Sequence, residues 1–510
     1  MLAKLILLQL MSAFALGQDC LSRDYGNGGT VCVCNSNHCD TVPKPKKLEP
    51  SELLIYTSNK AGLRFNLEKT NFKPCAFSDR IVIDPKTKYQ TILGWGGAFT
   101  DAAGINIASL EESLQTKLLE SYFSENGLEY SLCRVPIGGT DFSVRAYSYD
   151  DGKEDKDLTN FKLAEEDHKY KIPYIKKALE LTENRLKLFA SAWTAPKWMK
   201  TDGQYAGLGG SLKKEMYQTW VDYFIKFFDS YKEQGISFWG VTTGNEPSLA
   251  ISPTNRINNV GWGPKNMGTW VRDNLGPTIR NSAYSDMKIM ILDDQRSLLP
   301  WYADEVLKDN TVRKYVDGVA VHWYHNIWPL FWPASVLTFT HWHFPEKFIL
   351  ATEACNGVGE ESVVLGSWER GEKYSYDIIK DLQNWVTGWI DWNMVLDLSG
   401  GPTYISNNVD APIIVNASAG EFYKQPMYYH LGHFSKFVPP NSVLIKTSFA
   451  NKDLLTVGFQ RPDNATVLVI LNKTGKTIPV NVVDPNKGVA QVEIKARSIV
   501  TVFYYSQNYK

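Results

Sequence analysis

Eight short, β-rich apolar runs recur between about residues 90 and 397: "TILGWGGAFT", "EYSLCRVPIGG", "LKLFASAWTAP", "ISFWGVTTGNEP", "MKIMILDDQ", "VDGVAVHWYHN", "KFILATEAC" and "GWIDWNMVLD". The stretches between them carry helical spacing, as in "YQTWVDYFIKFFDSYKEQG", where apolar residues return every three to four positions. A strand covered by helices on both faces has no wet side, so it reads as a nearly continuous apolar run. Eight such strands close a barrel. The alternation therefore predicts an α/β chain built on a (β/α)8 TIM barrel. An open doubly wound sheet would need a Gly-rich phosphate loop between a strand and a helix, and no such loop is present.

The flanks follow a different period. Residues 46 to 88 and 442 to 510 hold alternating stretches such as "NATVLVILNKT" and "SIVTVFYY", which predict a β-sandwich, immunoglobulin-like, assembled from both ends of the chain. Residues 18 to 45 crowd Cys20, Cys32, Cys34 and Cys39 into a piece too small to bury its own core. That piece, together with residues 394 to 426, predicts a small disulfide-bonded antiparallel β-sheet domain, with "LSGGPTYISNNVDAPIIV" pairing against it. The barrel is left with 89 to 393 plus 427 to 441. Residues 1 to 17 hold one Lys, an apolar stretch too short to span a bilayer, and the small residues Ala15 and Gly17, which predicts a signal peptide cleaved before Gln18.

Cysteine usage fits an oxidising compartment. The spacing C-x11-C-x-C-x4-C matches no zinc pattern and reads as two disulfides, whose three possible connectivities the spacing leaves open. Cys75, Cys133 and Cys355 are expected to be free thiols, and Asn416, Asn464 and Asn472 open glycosylation sequons. The formal net charge is −1 with no basic stripe, so nucleic acid is excluded as a partner.

Polar residues at the C-terminal ends of barrel strands make the site in this architecture. Glu246 ends the fourth run and Glu353 the seventh, on opposite sides of a small barrel, so the two carboxylates can face each other across its mouth. Such a pair can cleave a glycosidic bond with retention, one carboxylate attacking the anomeric carbon while the other protonates the leaving oxygen. Spacing does not say which does which. The plainer reading, two unrelated strand-end carboxylates, loses ground because they fall at corresponding places. His322 reads as a hydrogen-bonded barrel histidine rather than a general base, and Asp101 as a helix cap rather than a third acid.

In order and spacing, "VCVCNSNHCD", "GWGGAFTDAA", "DFSVRAYSY", "WTAPKWMKT", "LDDQRSLLPWY", "GVAVHWYHN", "LGSWERG", "GWIDWN" and "KQPMYYHLGHFSKFVPP" resemble the glucosylceramidases of glycoside hydrolase family 30 over essentially the whole mature chain. The resemblance implies a retaining β-glucosidase that acts on glucosylceramide in an anionic membrane surface of the lysosome. It implies Glu246 as acid/base and Glu353 as nucleophile, with Asp141, Trp193, Asn245, Trp392 and Asn407 contacting sugar. Tyr324 matches a tyrosine that hydrogen-bonds the nucleophile, and Arg134 lies where a cation can hold it ionised. It further implies Cys20–Cys32 and Cys34–Cys39 pairing, a saposin-type activator and a lysosomal sorting receptor; no dedicated metal site is read in the sequence, and retaining hydrolysis needs neither metal nor cofactor. Gly244 stands where these glucosylceramidases carry an acid, and the loop from Leu249 to Trp262 differs in aromatic content. The competing functions are a secreted glycosidase on other β-glucosides or xylosides and a non-catalytic carbohydrate-binding protein.

Overall fold

A computed structural model describes residues 19–42, 44–45, 48–73, 80–326, 333–449 and 451–505. The expected signal peptide and Cys75 lie outside them. Eight parallel strands close in chain order: β1 (Gly94–Ala98), β2 (Leu132–Ile137), β3 (Lys187–Ala192), β4 (Gly240–Thr242), β5 (Lys288–Gln295), β6 (Gly318–His322), β7 (Phe348–Glu353) and β8 (Val386–Asn393). Leu132, Phe189, Met290, Ala320, Leu350 and Ile390 fill the interior with one apolar cluster, so the barrel is a packed core rather than a pore. Strand β1 is glycine-rich for a steric reason. A Cβ on Gly96 would lie 1.9 Å from the Leu132 carbonyl oxygen of the neighbouring strand.

Covering helices bury one apolar face each. Tyr217–Glu233 turns Trp220, Phe224, Phe227, Phe228 and Tyr231 inward at spacings of three and four residues. Asp101–Ala108 starts with Thr100, not Asp101, as its cap: the Thr100 backbone is extended and its hydroxyl accepts from the Ala103 N–H at 3.0 Å. The expectation for Asp101 is thus corrected. Asp101 is drawn inward, where Ser143 Oγ and Tyr147 donate to its carboxylate and Lys171 lies 3.5 Å away.

Both chain ends enter one nine-stranded sheet, in which Ser498–Tyr505 pairs antiparallel with Glu52–Asn59. Residues from its two far ends share a core, Leu53 and Ile55 meeting Val480, Val492 and Ile494, so the sheet folds over into two layers. A five-stranded sheet holds Ser22–Asp24, Thr30–Cys34, Glu421–Lys424, Ile413–Asn416 and Val395–Asp397 in that order, the last pair being parallel. Ile413–Asn416 does not pair with the N-terminal piece directly; Glu421–Lys424 intervenes, with Phe422 opposite Cys34. Cys20 is bonded to Cys32 and Cys34 to Cys39, while Cys133 and Cys355 are buried thiols.

Of the sequons, Asn464 is exposed and Asn416 half-buried. Asn472 is a correction. It is fully buried, and its amide nitrogen donates to the carbonyls of Lys476, Ile494 and Lys495, leaving no room for a glycan.

The helix Pro426–Ser435 joins barrel to sandwich through His433, whose ring nitrogens lie 2.9 Å from Ser58 Oγ and 2.8 Å from Thr501 Oγ1. Burial holds its imidazole down at about 3, so it stays neutral in the fold, whereas an unfolded chain protonates it near 6.5. The unfolded state then binds more protons, and stability present above about pH 6.5 is lost as pH falls toward 3, about 2 kcal/mol of it by pH 5. His433→Gln is expected to flatten the fall of Tm between pH 6.5 and 5; thermal unfolding at the two pH values checks this, and equal slopes contradict it.

Candidate active site

Glu246 sits in the loop after β4, two residues beyond Gly244. Its backbone is left-handed, φ 41° and ψ 60°, an unusual state for glutamate and more so before proline. Two backbone bonds hold it there, Asn245 N–H to the Ala192 carbonyl at 2.8 Å and Glu246 N–H to the Asp293 carbonyl at 2.9 Å. Pro247 then opens the short helical turn Pro247–Ile251, where its fixed φ suits the first position. Gly244, at φ +128°, makes the preceding bend; a side chain there would be strained although nothing crowds it closer than 3.6 Å.

Both hydrogen bonds to the Glu246 carboxyl fall on one oxygen. Gln295 Nε2 donates to Oε1 at 2.7 Å, and His322 Nδ1 lies 2.9 Å from the same atom. Oε2 is left for an incoming group. Glu353 ends β7, with Tyr324 donating to Oε1 at 2.8 Å and Arg134 Nη1 donating to Oε2. Burial raises the Glu353 carboxyl, and the charges of His322 and Arg134 oppose that rise. One carboxylate oxygen of Glu246, one of Glu353 and one nitrogen of His322 lie within 4.8 Å of one another.

Behind the pair lies a buried polar layer. Arg134 Nη2 donates to Asp293 at 2.7 Å and to Asn245 Oδ1 at 2.8 Å, which turns the Asn245 amide N–H groups away from the arginine. His322 is buried, which opposes its charge, yet Glu353, Asp293 and Glu246 around it push it up to about 10. The side chains of Glu246, His322 and Glu353 form an ion-pair network.

Asp141 accepts from Asn407 Nδ2 at 2.6 Å, and Asn407 Oδ1 accepts from Thr403 at 2.5 Å. Burial pushes Asp141 up to about 7 against the Asn407 bond. Trp193 and Trp392 stack on each other, centroids 4.9 Å apart and planes 19° apart, with the Arg134 guanidinium over the Trp193 ring at 4.6 Å. They are 1% and 3% exposed. The two rings form one stacked wall, each covering a face of the other.

The structure thus gathers Arg134, Asp141, Trp193, Asn245, Glu246, Tyr324, Glu353, Trp392 and Asn407 around the C-terminal end of the barrel. Sequence reasoning missed Asp293 and Gln295 and gave His322 no partner. The signal was present in "ILDDQ", an apolar strand ending in three polar residues, as the fourth and seventh runs end in Glu246 and Glu353.

Comparison with known proteins agrees with this geometry. The glycosyl hydrolase family 30 TIM-barrel domain matches residues 92–438 and the family 30 beta sandwich domain residues 441–502. Lysosomal acid glucosylceramidase of Mus musculus is 41% identical over 520 residues, covering 99% of this chain and 100% of the mouse protein. Putative glucosylceramidase 3 of Caenorhabditis elegans is 42% identical over 518 residues, 98% of each chain. Among solved structures, SrfJ from Salmonella typhimurium superposes with TM-score 0.83 at 27% identity, covering 89% of this chain and 99% of that one.

Proposed function

The chain belongs to glycosyl hydrolase family 30, and from that membership we propose that it hydrolyses glucosylceramide to glucose and ceramide, with Glu353 as nucleophile and Glu246 as acid/base. It is a retaining glycoside hydrolase. The observation that supports these two glutamates as the reacting pair is the approach of their oxygens to within 4.8 Å, while the division of roles between them rests on the family resemblance. Retaining pairs stand about 5 to 5.5 Å apart, whereas inverting pairs leave about 6.5 to 9.5 Å for a water.

In the first step a Glu353 oxygen bonds to the anomeric carbon as the bond to the ceramide oxygen breaks. Glu246 gives that oxygen its proton. The proton comes from Oε2, because Oε1 is occupied by Gln295 and His322. In the second step Glu246, now a carboxylate, takes a proton from water; the hydroxide adds to the anomeric carbon and the Glu353 ester bond breaks, releasing glucose. Asn245, its carbonyl held by Arg134, points N–H groups toward the 2-hydroxyl, a contact that strengthens as the ring gains positive charge. Asp141, braced by Asn407, receives hydroxyls further along the sugar.

No helix among the described residues is long and apolar enough to cross a membrane. Action on a membrane lipid would then be peripheral, in the lysosome, the compartment named for the mouse relative, and the anionic surface rests on the family resemblance. A saposin-type activator and a sorting receptor rest on the family resemblance alone. The test sets glucosylceramide in vesicles against soluble substrates. We expect glucose and ceramide to appear at acidic pH, several-fold faster when anionic lipid is present, with slower cleavage of β-xylosides and of β-1,6-glucan. The glucan is included because an endo-1,6-beta-D-glucanase of Neurospora crassa is 28% identical over 441 residues. Preference for the glucan, or indifference to lipid, would overturn the substrate assignment.

A further inference from the structure

Two residues at the end of β5 hold Glu246 directly. The Asp293 carbonyl accepts its backbone N–H at 2.9 Å, and the Gln295 amide donates to its Oε1 at 2.7 Å. Asp294 stands between them in sequence, and its carboxylate is spent on what lies next to Glu246. Oδ2 accepts the Ser248 N–H at 2.9 Å, while Oδ1 accepts the Ser248 hydroxyl at 3.0 Å and the Gln295 N–H at 2.7 Å. A carboxylate this deeply buried is tolerated only where hydrogen bonds replace its water. Asp294 is 0% exposed, so its effect on the reaction must pass through Ser248 and Gln295.

The turn that Asp294 holds is the one that aims Glu246. Glu246 keeps a left-handed backbone, a state that persists only where the surroundings enforce it. Pro247 has no N–H, so the first donor beyond Glu246 that can anchor the chain is that of Ser248. Asp294 takes it. The Leu249 N–H then closes the turn on the Glu246 carbonyl at 3.0 Å. The chain is thus pinned up to Glu246 by the Ala192 and Asp293 carbonyls, and two residues after it by the Asp294 carboxylate. A second route reaches the side chain: Asp294 holds the backbone of Gln295, whose amide donates to Oε1.

We propose that Asp294 is a positioning residue for proton transfer: by pinning Ser248 and Gln295 it holds Glu246 so that Oε2, the oxygen left open by Gln295 and His322, reaches the leaving-group oxygen. The inference rests on the reading of Glu246 as acid/base. A misplaced proton donor costs most where the leaving group most needs the proton. Loss of Asp294 therefore has a signature that depends on the leaving group, whereas a loosened barrel has none.

The test is kcat/KM, which reports the first step, on β-glucosides whose leaving groups run from dinitrophenolate through phenolate to an alkoxide. Asp294→Asn keeps the shape of the side chain, yet whichever way its amide turns, the NH2 meets the N–H of Ser248 or of Gln295. It should lower kcat/KM about 30- to 100-fold on the alkyl glucoside and only about 3-fold on the dinitrophenyl glucoside, so the dependence on leaving-group pKa steepens. Ser248→Ala removes the hydroxyl bond alone and should steepen it less. Added to Glu246→Ala, Asp294→Asn should cost no further activity on the phenyl glucoside, because its effect has no other path. A merely structural role would lower every substrate by one factor, together with Tm. An unchanged slope in folded Asp294→Asn would overturn the proposal, as would a fully multiplied loss in the double variant. Should Asp294→Asn not fold, Ser248→Ala decides: a steeper slope supports the proposal and an unchanged one overturns it. Glu246→Ala alone separates the two readings. No added dependence on the leaving group there sinks the acid/base assignment, while dependence there without it in Asp294→Asn sinks only this inference.

Discussion

Glu353→Ala is expected to be inactive on every β-glucoside, activated or not, with kcat falling on the order of 10^5-fold. The cause is specific to its place. Glu353 is the carboxylate that Arg134 and Tyr324 hold at the mouth of β7, and without it no covalent glycosyl-enzyme forms. Leaving-group quality cannot compensate, because the missing partner is the one that attacks carbon. Azide added at high concentration can enter the vacated space and attack from the same face, giving the α-glucosyl azide. Steady-state rates on aryl glucosides and glucosylceramide, with the azide product identified by NMR, check this. A variant that retains more than about one hundredth of the activity on either substrate contradicts it.

Glu246→Ala is expected to separate the substrates instead. Ceramide leaves as a poor alkoxide and needs the proton from Oε2, so hydrolysis of the lipid should drop by about 10^2- to 10^4-fold. An aryl glucoside with a stable phenolate leaving group needs no such help in the first step and should still form the glycosyl-enzyme. Its turnover then stalls at the second step, since no base activates water, and azide, which needs none, should restore it as the β-glucosyl azide. Rates with and without azide on the two substrates decide it. An α product from Glu246→Ala and a β product from Glu353→Ala would exchange the roles.

Much of this site could be read from sequence because a barrel strand is apolar along its length and the chemistry sits where the apolar run stops. Glu246 and Glu353 are such stops, and so is "DDQ" after "MIL", which the same rule would have found. What could not be read is what the far side of the barrel supplies. The period of a strand does not reveal a bulge, so nothing in "ILDDQ" says that Asp293 turns inward rather than Asp294. His322 gains its charge from Glu353, Asp293 and Glu246, the last two 29 and 76 positions away, and no local pattern around "AVHWY" contains any of them. The stacking of Trp193 on Trp392 likewise joins β3 and β8 ends that meet only when the barrel closes. Thr100 and Asp101 both have capping chemistry; the choice fell to Thr100 because Lys171 and Ser143, far along the chain, claim Asp101. Asn472 was more legible, since its sequon closes the apolar run "VLVIL" and a strand of that kind is buried.

The assignment of the two glutamates is tested most directly by a mechanism-based cyclitol epoxide. Opened by the attacking carboxylate, it stays bound as an ester that survives proteolysis, and mass spectrometry of the peptides locates it. We expect one label per chain, on Glu353 in the peptide containing "ATEAC", formed more slowly in Glu246→Ala and absent in Glu353→Ala. A label on Glu246, Asp141 or any other carboxylate of the native enzyme would contradict the account.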